Sequence, residues 1–333
     1  MRTILAELEQ WLAAGERVAL AVVVQARRPA PRPAGSWLAV TASGKIAGSV
    51  STGCVENAVV QEAQALLAGR SARVLHYAPA DENGWEVGLT CGGEIEVHVT
   101  QFTPVHAHLL AALRRGETVA LVTSLAGRGH LLAWEDGRQE GNPALAEALA
   151  GAFPGPQAVR RATAQGECFV QTFTPPPVLN IVGAVHLAQL LARLAAVAGY
   201  RTRIIDPRPL WNTPERFPTA ATRVLAWPQE ALTPPFLRPS DAVVVLAHDP
   251  KFDVPALAAA LRSPVGYIGL LGSRRTQAHR QEALRERGFT PADLARIHGP
   301  VGFRLGASFE AIATGIMAEI VAAHNGKLPL SSG

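Results

Sequence analysis

Residues 178–206, "VLNIVGAVHLAQLLARLAAVAGYRTRIID", constrain the fold more than any other stretch of the chain. A short apolar run ends at Gly183. A helix-period pattern begins near His186, and a second apolar run closes at Asp206. Strands this apolar must be covered on both faces, as in a parallel sheet flanked by helices. The alternation continues downstream, with "RVLA", "DAVVVLA" and "VGYIGLL" as further strands. Helices are expected at 186–198, 254–262, 274–287, 291–296 and 308–324. Alternating strands and helices of this kind build a doubly wound sheet.

Three prolines at 175–177 break the chain just before this region. Consecutive prolines fit neither a helix nor a central strand, so they mark a stiff linker. With 333 residues, two domains are the default, here 1–174 and 178–333. The first half reads as strands at 17–25, 36–41, 45–49, 72–77, 94–102, 117–124, 128–134 and 166–173. Helices at 55–68, 104–115 and 143–152 interrupt them irregularly. The fold class expected is α/β: a C-terminal Rossmann-like doubly wound parallel sheet preceded by an α+β N-terminal domain.

The 178–206 unit has the outline of a dinucleotide-binding βαβ segment. Gly183 makes the first turn, Ala188 fits the third small position, and Asp206 stands where an acidic residue meets a ribose hydroxyl. The middle glycine is replaced by Val185. Two readings stay open, a nucleotide-like ligand at this turn or a scaffold in which Gly183 only makes the turn. His186 contacts a ligand or caps the helix. Two more loops follow strands on the same side. "LAHDPKFD" supplies His248, Asp249, Lys251 and Asp253; "GLLGSRRT" supplies Gly272, Ser273, Arg274 and Arg275 at a helix start. Exposed amides, the helix dipole and two guanidiniums suit an anion. His298, in "ARIHGPVGFRLGA", is a ligand contact or a packing residue.

The three cysteines are 54, 91 and 168, an odd and widely spaced set. Neither a disulfide framework nor a CxxC zinc site is expected. Cys168, inside strand-like "GECFVQTF", reads as a small core residue. Cys54 and Cys91 differ, because each adjoins a glycine, Gly53 and Gly92, at the edge of a regular element. A thiol at a helix N-terminus gains thiolate character, and thiolates bind soft metals and sulfur-bearing groups. Glu56 caps the helix after Cys54 or acts as a base, with capping favoured. No histidine adjoins either cysteine, so no catalytic residue is assigned.

Lys and Arg number 31 against 27 Asp and Glu, a formal charge of +4. No basic block with interleaved aromatics is present, which argues against nucleic acid; the modest excess suits a small anion or an acidic protein. No apolar run is long enough to span a membrane, and the N-terminus reads as an amphipathic helix rather than a leader. A cytoplasmic protein is expected.

Six segments occur in the order seen in one family. They are "PRPAGSWLAVTASGKIAGSVSTGCVENAV", "GLTCGGEIEV", "IVGAVHLAQLL", "VVVLAHDPKFD", "GYIGLLGSRRT" and "RIHGPVGFRLGA". From about residue 17 to 326 the chain resembles the XdhC/CoxI family, accessory proteins for maturation of xanthine dehydrogenase, carbon monoxide dehydrogenase and related molybdenum hydroxylases. It departs from that family's usual glycines at Val185 and at Thr52. The resemblance implies a carrier that binds molybdenum cofactor (molybdopterin), supports its sulfuration with a cysteine desulfurase, and delivers it to a client hydroxylase. It also implies a homodimer. On that reading Cys54 and Cys91 contact the molybdenum or its sulfur, and the Rossmann-like half holds an anionic part of the cofactor or a nucleotide. The alternatives are a nicotinamide-dependent oxidoreductase and a non-catalytic interaction module.

Overall fold

The computed structural model describes residues 1, 4–27, 29–79, 88–89, 92–153, 158–233 and 237–328. The chain divides into two compact units, Met1–Pro175 and Pro176–Gly333.

The first unit holds two antiparallel five-stranded sheets. One contains β1 (Val18–Arg27), β2 (Trp37–Thr41), β3 (Ile46–Gly48), β4 (Arg73–Tyr77) and β5 (Glu94–Gln101), in the order β3-β2-β1-β5-β4. The other contains β6 (Val119–Ser124), β7 (His130–Trp134), β8 (Gln139–Gly141), β9 (Ala158–Thr163) and β10 (Gly166–Phe173), in the order β8-β7-β6-β10-β9. β1 explains why the sheets stack. Its Leu20, Val22 and Val24 enter a core shared with Leu121, Leu132 and Phe169 of the second sheet. Its Ala19, Ala21 and Val23 face the opposite way, onto Val59, Ala63 and Leu66 of α2 (Glu56–Leu67). Period-2 alternation with apolar residues at both phases requires cover on both faces. Helices α1 (Leu5–Ala13) and α3 (Pro104–Arg115) contribute Leu8, Trp11, Leu109 and Leu113 to the shared core.

The second unit is one parallel six-stranded sheet, as expected. Its strands are β11 (Val178–Val182), β12 (Arg201–Ile205), β13 (Thr222–Val224), β14 (Ala242–Val245), β15 (Tyr267–Leu270) and β16 (Ile297–His298), in the order β13-β12-β11-β14-β15-β16. Helices α4 (His186–Val197) and α9 (Phe309–His324) cover one face. The other is covered by α5 (Pro228–Ala231), α6 (Pro250–Leu261), α7 (Arg274–Arg285) and α8 (Pro291–Leu294). Strand order reverses between β11 and β14, and the crevice outside their carboxyl ends is where such sheets take ligands.

Several elements differ from the sequence reading, which places no strand at β8 or β16 and no helix at α5. Residues 143–149 form a 3-10 helix, started by Asn142, whose side chain accepts from Ala144 N–H at 3.1 Å. β9 is an edge strand carrying Arg160 and Arg161; charge on an edge blocks pairing with other chains and, in sequence, resembles a loop. α6 starts at Pro250 rather than 254, because Asp249 caps it by accepting from Lys251 N–H and proline at the first position loses no helical bond. Among the described residues no helix is long and apolar enough to cross a membrane.

Candidate functional site

Between β3 and α2 runs the loop Ser49–Val55. Glu56, the first residue of α2, turns back over it. Its Oε1 accepts from Ser49 Oγ at 2.7 Å, Ser51 N–H at 2.8 Å and Val50 N–H at 3.2 Å. Its Oε2 accepts from Gly53 N–H at 2.7 Å and from Ser51 Oγ. Two more links close the knot: Val55 N–H donates to Ser51 Oγ at 3.0 Å, and Thr52 N–H to Ser49 Oγ at 2.9 Å. Burial pushes the Glu56 carboxyl up, but the bonds from Ser51, Ser49 and Gly53 outweigh it and hold it at about 2. The group is therefore ionised and fully occupied. Its bonds go to the loop before α2 and not to the first amides of the helix, so it ties the loop down where the sequence favours capping, and it is in no position to take a proton from a substrate.

This knot holds Thr52 in the left-handed region, at φ 64°. A β-branched residue resists that conformation, so the surrounding bonds impose it. Cys54 is exposed two residues later, at the mouth of α2, where the helix dipole is positive. Gly92 leads into β5, with its N–H on Leu89 O at 3.2 Å. Cys91 lies outside the described residues. Cys168 is fully buried in β10, among Val122, Leu145 and Val170. Among the described residues no group of three His, Cys, Asp or Glu is arranged around a metal position.

In the second unit the expected residues gather along the carboxyl edge of the sheet. Gly183 follows β11 at φ 100°, and a Cβ there would stand 2.9 Å from Ala247 Cα and N. Only glycine lets the strand ends approach this closely. Asp206 is wholly buried. It accepts from Ala184 N–H at 2.7 Å, from Arg208 N–H at 2.9 Å, and from Arg208 Nε and Nη2 at 2.8 and 2.6 Å. Burial raises its carboxyl, but Arg208 and the two amides more than compensate and keep it below its ordinary value. Its oxygens face the protein's own loop and guanidinium, where the sequence reading pointed to a ribose hydroxyl.

His186 opens α4, exposed, with its ring edge-on to Phe309 at 5.4 Å. His248 follows β14 in the left-handed region, at φ 59°. Asp249 is bound to Lys251 through its amide, which lowers its carboxyl, and through Nζ at 3.3 Å. Asp253 is buried beneath, against Arg280 Nε at 3.0 Å and Nη2 at 2.9 Å. Burial raises its carboxyl despite that partner. Gly272 and Ser273 lead into α7, and Ser273 Oγ caps it by accepting from Thr276 N–H at 3.2 Å. Arg274 and Arg275 are exposed, with no hydrogen bond or ion pair among the described residues. His298 is a packing residue: its ring stacks on Tyr267 at 4.7 Å and its Nδ1 lies 3.5 Å from Glu319 Oε1.

Sequence reasoning passed over a ladder of aromatics and cations beside Asp206. Arg216 lies over Trp211 at 5.0 Å, Arg208 over Trp211 at 5.2 Å and over Phe252 at 5.3 Å, and Phe252 stacks on Trp227 at 5.0 Å. It also passed over Phe303 and Arg304, exposed in the loop after β16. The signal was present for both, as tryptophans and arginines in polar, proline-rich loops, but their meeting is a matter of tertiary contact.

Comparison with known proteins gives concordant results. Residues 11–78 match the family model described as "XdhC and CoxI family", and residues 179–320 the one described as "XdhC Rossmann domain". A Bacillus subtilis strain 168 protein, named as a probable xanthine dehydrogenase subunit, is 29% identical over 322 residues, 92% of this chain and 93% of that one. The Escherichia coli K12 "Molybdenum cofactor insertion chaperone PaoD" is 28% identical over 336 residues, 96% of this chain and 87% of its own. A crystal structure from Bacillus halodurans, described as a xanthine dehydrogenase, superposes with a TM-score of 0.81 at 22% identity, over 99% of this chain and 98% of that one. At that identity the likeness shows a shared fold.

Proposed function

The chain belongs to the XdhC and CoxI family, and on that premise we propose that it is an accessory carrier for molybdenum cofactor, serving a hydroxylase of the xanthine dehydrogenase or carbon monoxide dehydrogenase type. The names of its relatives support a maturation role, and the site chemistry supports carriage over catalysis. The observation that carries the reading is the setting of Cys54. An exposed thiol stands on a loop tied down by the carboxylate of Glu56, which is ionised and occupied by its bonds to that loop. A soft donor beside a carboxylate that is already ionised and hydrogen-bonded suits holding a sulfur-ligated metal.

In this reading Cys54 and Cys91 hold the molybdenum end of the cargo, with Gly53 and Gly92 giving clearance. The carboxyl edge of the Rossmann sheet, from Gly183 and His186 through His248 and Asp249 to Ser273, Arg274 and Arg275, is taken separately as a place for an anionic or nucleotide-like group. Sulfuration with a cysteine desulfurase, and action as a homodimer, belong to the same proposal. The nicotinamide alternative is weakened by Asp206, whose oxygens are taken by Ala184 and Arg208.

The test is direct loading. Purified protein incubated with molybdenum cofactor is expected to retain about one per chain, read as metal and as pterin fluorescence after gel filtration. Cys54→Ser is expected to retain at least tenfold less at limiting cofactor, and to activate an apo-hydroxylase correspondingly less. Wild-type protein that retains no cofactor would remove the carrier reading. Equal retention by Cys54→Ser and Cys91→Ser would remove the thiols from it.

A further inference from the structure

A cavity of about 340 Å³ opens between the start of α7 and the loop after β16, one strand beyond the crevice at the switch point. Its walls include Leu271, Val301, Phe303 and Ile312, and its rim carries Arg274 and Arg304. Neither arginine has a hydrogen bond or ion pair among the described residues. Arg208, Arg238 and Arg280, in the same unit, are each paired to an aspartate. Two guanidiniums with no carboxylate partner among the described residues, beside an apolar cavity with an exposed aromatic ring, suit an anionic ligand with an apolar part.

The loop that builds the cavity is held rigidly. Val301 N–H donates to Leu270 O at 3.0 Å and Phe303 N–H to Gly315 O at 3.2 Å. Gly302 N–H donates to Glu319 Oε2 at 2.6 Å, while Tyr267 Oη donates to Glu319 Oε1 at 2.9 Å. Gly302, at φ 96°, lies flush on α9, since a Cβ would stand 2.9 Å from Ile316 N. The same holds in reverse at Gly315, where a Cβ would stand 2.2 Å from Phe303 O. The loop is thus pinned to α9, and the cavity persists without a ligand to shape it.

We propose that this cavity binds a phosphate monoester of a planar heterocycle, with Arg274 and Arg304 on the phosphate and Phe303 against the ring. Two guanidiniums select a dianion over a neutral ligand, and the apolar wall selects an ester over inorganic phosphate. The volume fits one mononucleotide-sized molecule and falls at the lower end of small-ligand pockets, roughly 300–1,000 Å³. Identifying the natural ligand with the phosphorylated end of the cargo rests on the carrier reading; the site itself does not.

The experiment titrates full-length protein with guanosine monophosphate, guanosine and inorganic phosphate by calorimetry. The monophosphate is expected to bind saturably, and the other two at least tenfold more weakly. Arg274→Ala and Arg304→Ala are each expected to weaken it about tenfold. Phe303→Leu is expected to weaken it severalfold, and Arg285→Ala, at the far end of α7, to change nothing. Because these side chains are exposed, an unchanged melting temperature accompanies each result. No saturation at millimolar ligand, or full-strength binding in the Arg274→Ala/Arg304→Ala double variant, overturns the proposal. Loading with molybdenum cofactor then separates the sources. A double variant that loses both ligands marks the cofactor as the occupant, and one that loses only the monophosphate marks a free nucleotide. Wild-type protein that binds the monophosphate but never the cofactor leaves the site standing and removes the carrier reading.

Discussion

His98, His106 and His130 are buried together between the two sheets of the first unit, with the His106 and His130 rings 4.3 Å apart. Both ring nitrogens of His98 and the Nε2 of His106 are buried without a hydrogen-bond partner among the described residues. Burial, reinforced by His130, pulls His98 down to about 4; burial alone takes His130 to about 4 as well, and His106 lies well below its ordinary value. All three are neutral when folded at neutral pH. The unfolded chain takes up protons near its ordinary histidine value, about 6.5, before the folded chain does, so stability falls as pH drops from there toward 4. His98 alone accounts for about 3 kcal/mol across that window. Urea denaturation is expected to show a midpoint that declines from pH 7 to pH 5. His98→Leu, which removes a buried group with no partner, is expected to flatten the decline while leaving stability at pH 7 equal or higher. A midpoint independent of pH in the wild type would contradict this. Glu56 acts in a lower window: its value is held down, so its contribution is present above the ordinary glutamate pKa and is lost toward pH 2.

At the scale of elements, the turn after β11 is decisive. Gly183→Ala would place a methyl 2.9 Å from the backbone of Ala247 at a φ that L-residues resist. The expected cost is about 3 kcal/mol or more, read as a lower melting temperature, because neither strand end is free to move. A loss under about 1 kcal/mol would mean that the edge relaxes easily. The strands around this turn were legible in the sequence because buried parallel strands are apolar throughout: β11, β12, β14 and β15 stand where the pattern put them. β9 was not legible, since a charged edge strand shares its composition with loops. Of the site, the loops could be read from their glycines and histidines. Their wiring could not. That Asp206 serves Ala184, 22 residues earlier, or that Glu56 collects the loop before it, depends on directions that only the fold sets.

Across the whole molecule, the formal charge of +4 is the sum of unlike parts. Residues 176–333 carry 17 Lys and Arg against 11 Asp and Glu, and residues 1–175 carry 14 against 16. The cationic excess therefore belongs to the unit with the unpaired Arg274 and Arg304. Exposed charges are screened over about 10 Å at 0.1 M salt and about 3 Å at 1 M. Binding of guanosine monophosphate is expected to weaken about tenfold between 0.05 and 0.5 M sodium chloride, while the melting temperature changes little. Affinity indifferent to salt would show that the guanidiniums do not meet the phosphate.

The knot around Glu56 has a kinetic consequence for the carrier reading. A donor on a swinging loop lets its cargo go by moving, so departure is first order and wasteful. Cys54 stands on a loop tied to the first turn of α2, and α2 is seated by Val59, Ala63 and Leu66 in the core. The backbone that carries the thiol is held in place. If Cys54 carries cargo, loop motion adds little to its release, and an acceptor that attacks the bound group directly would hasten hand-over in proportion to its concentration. On the carrier reading, a recipient would then compete with water for the cofactor by its concentration.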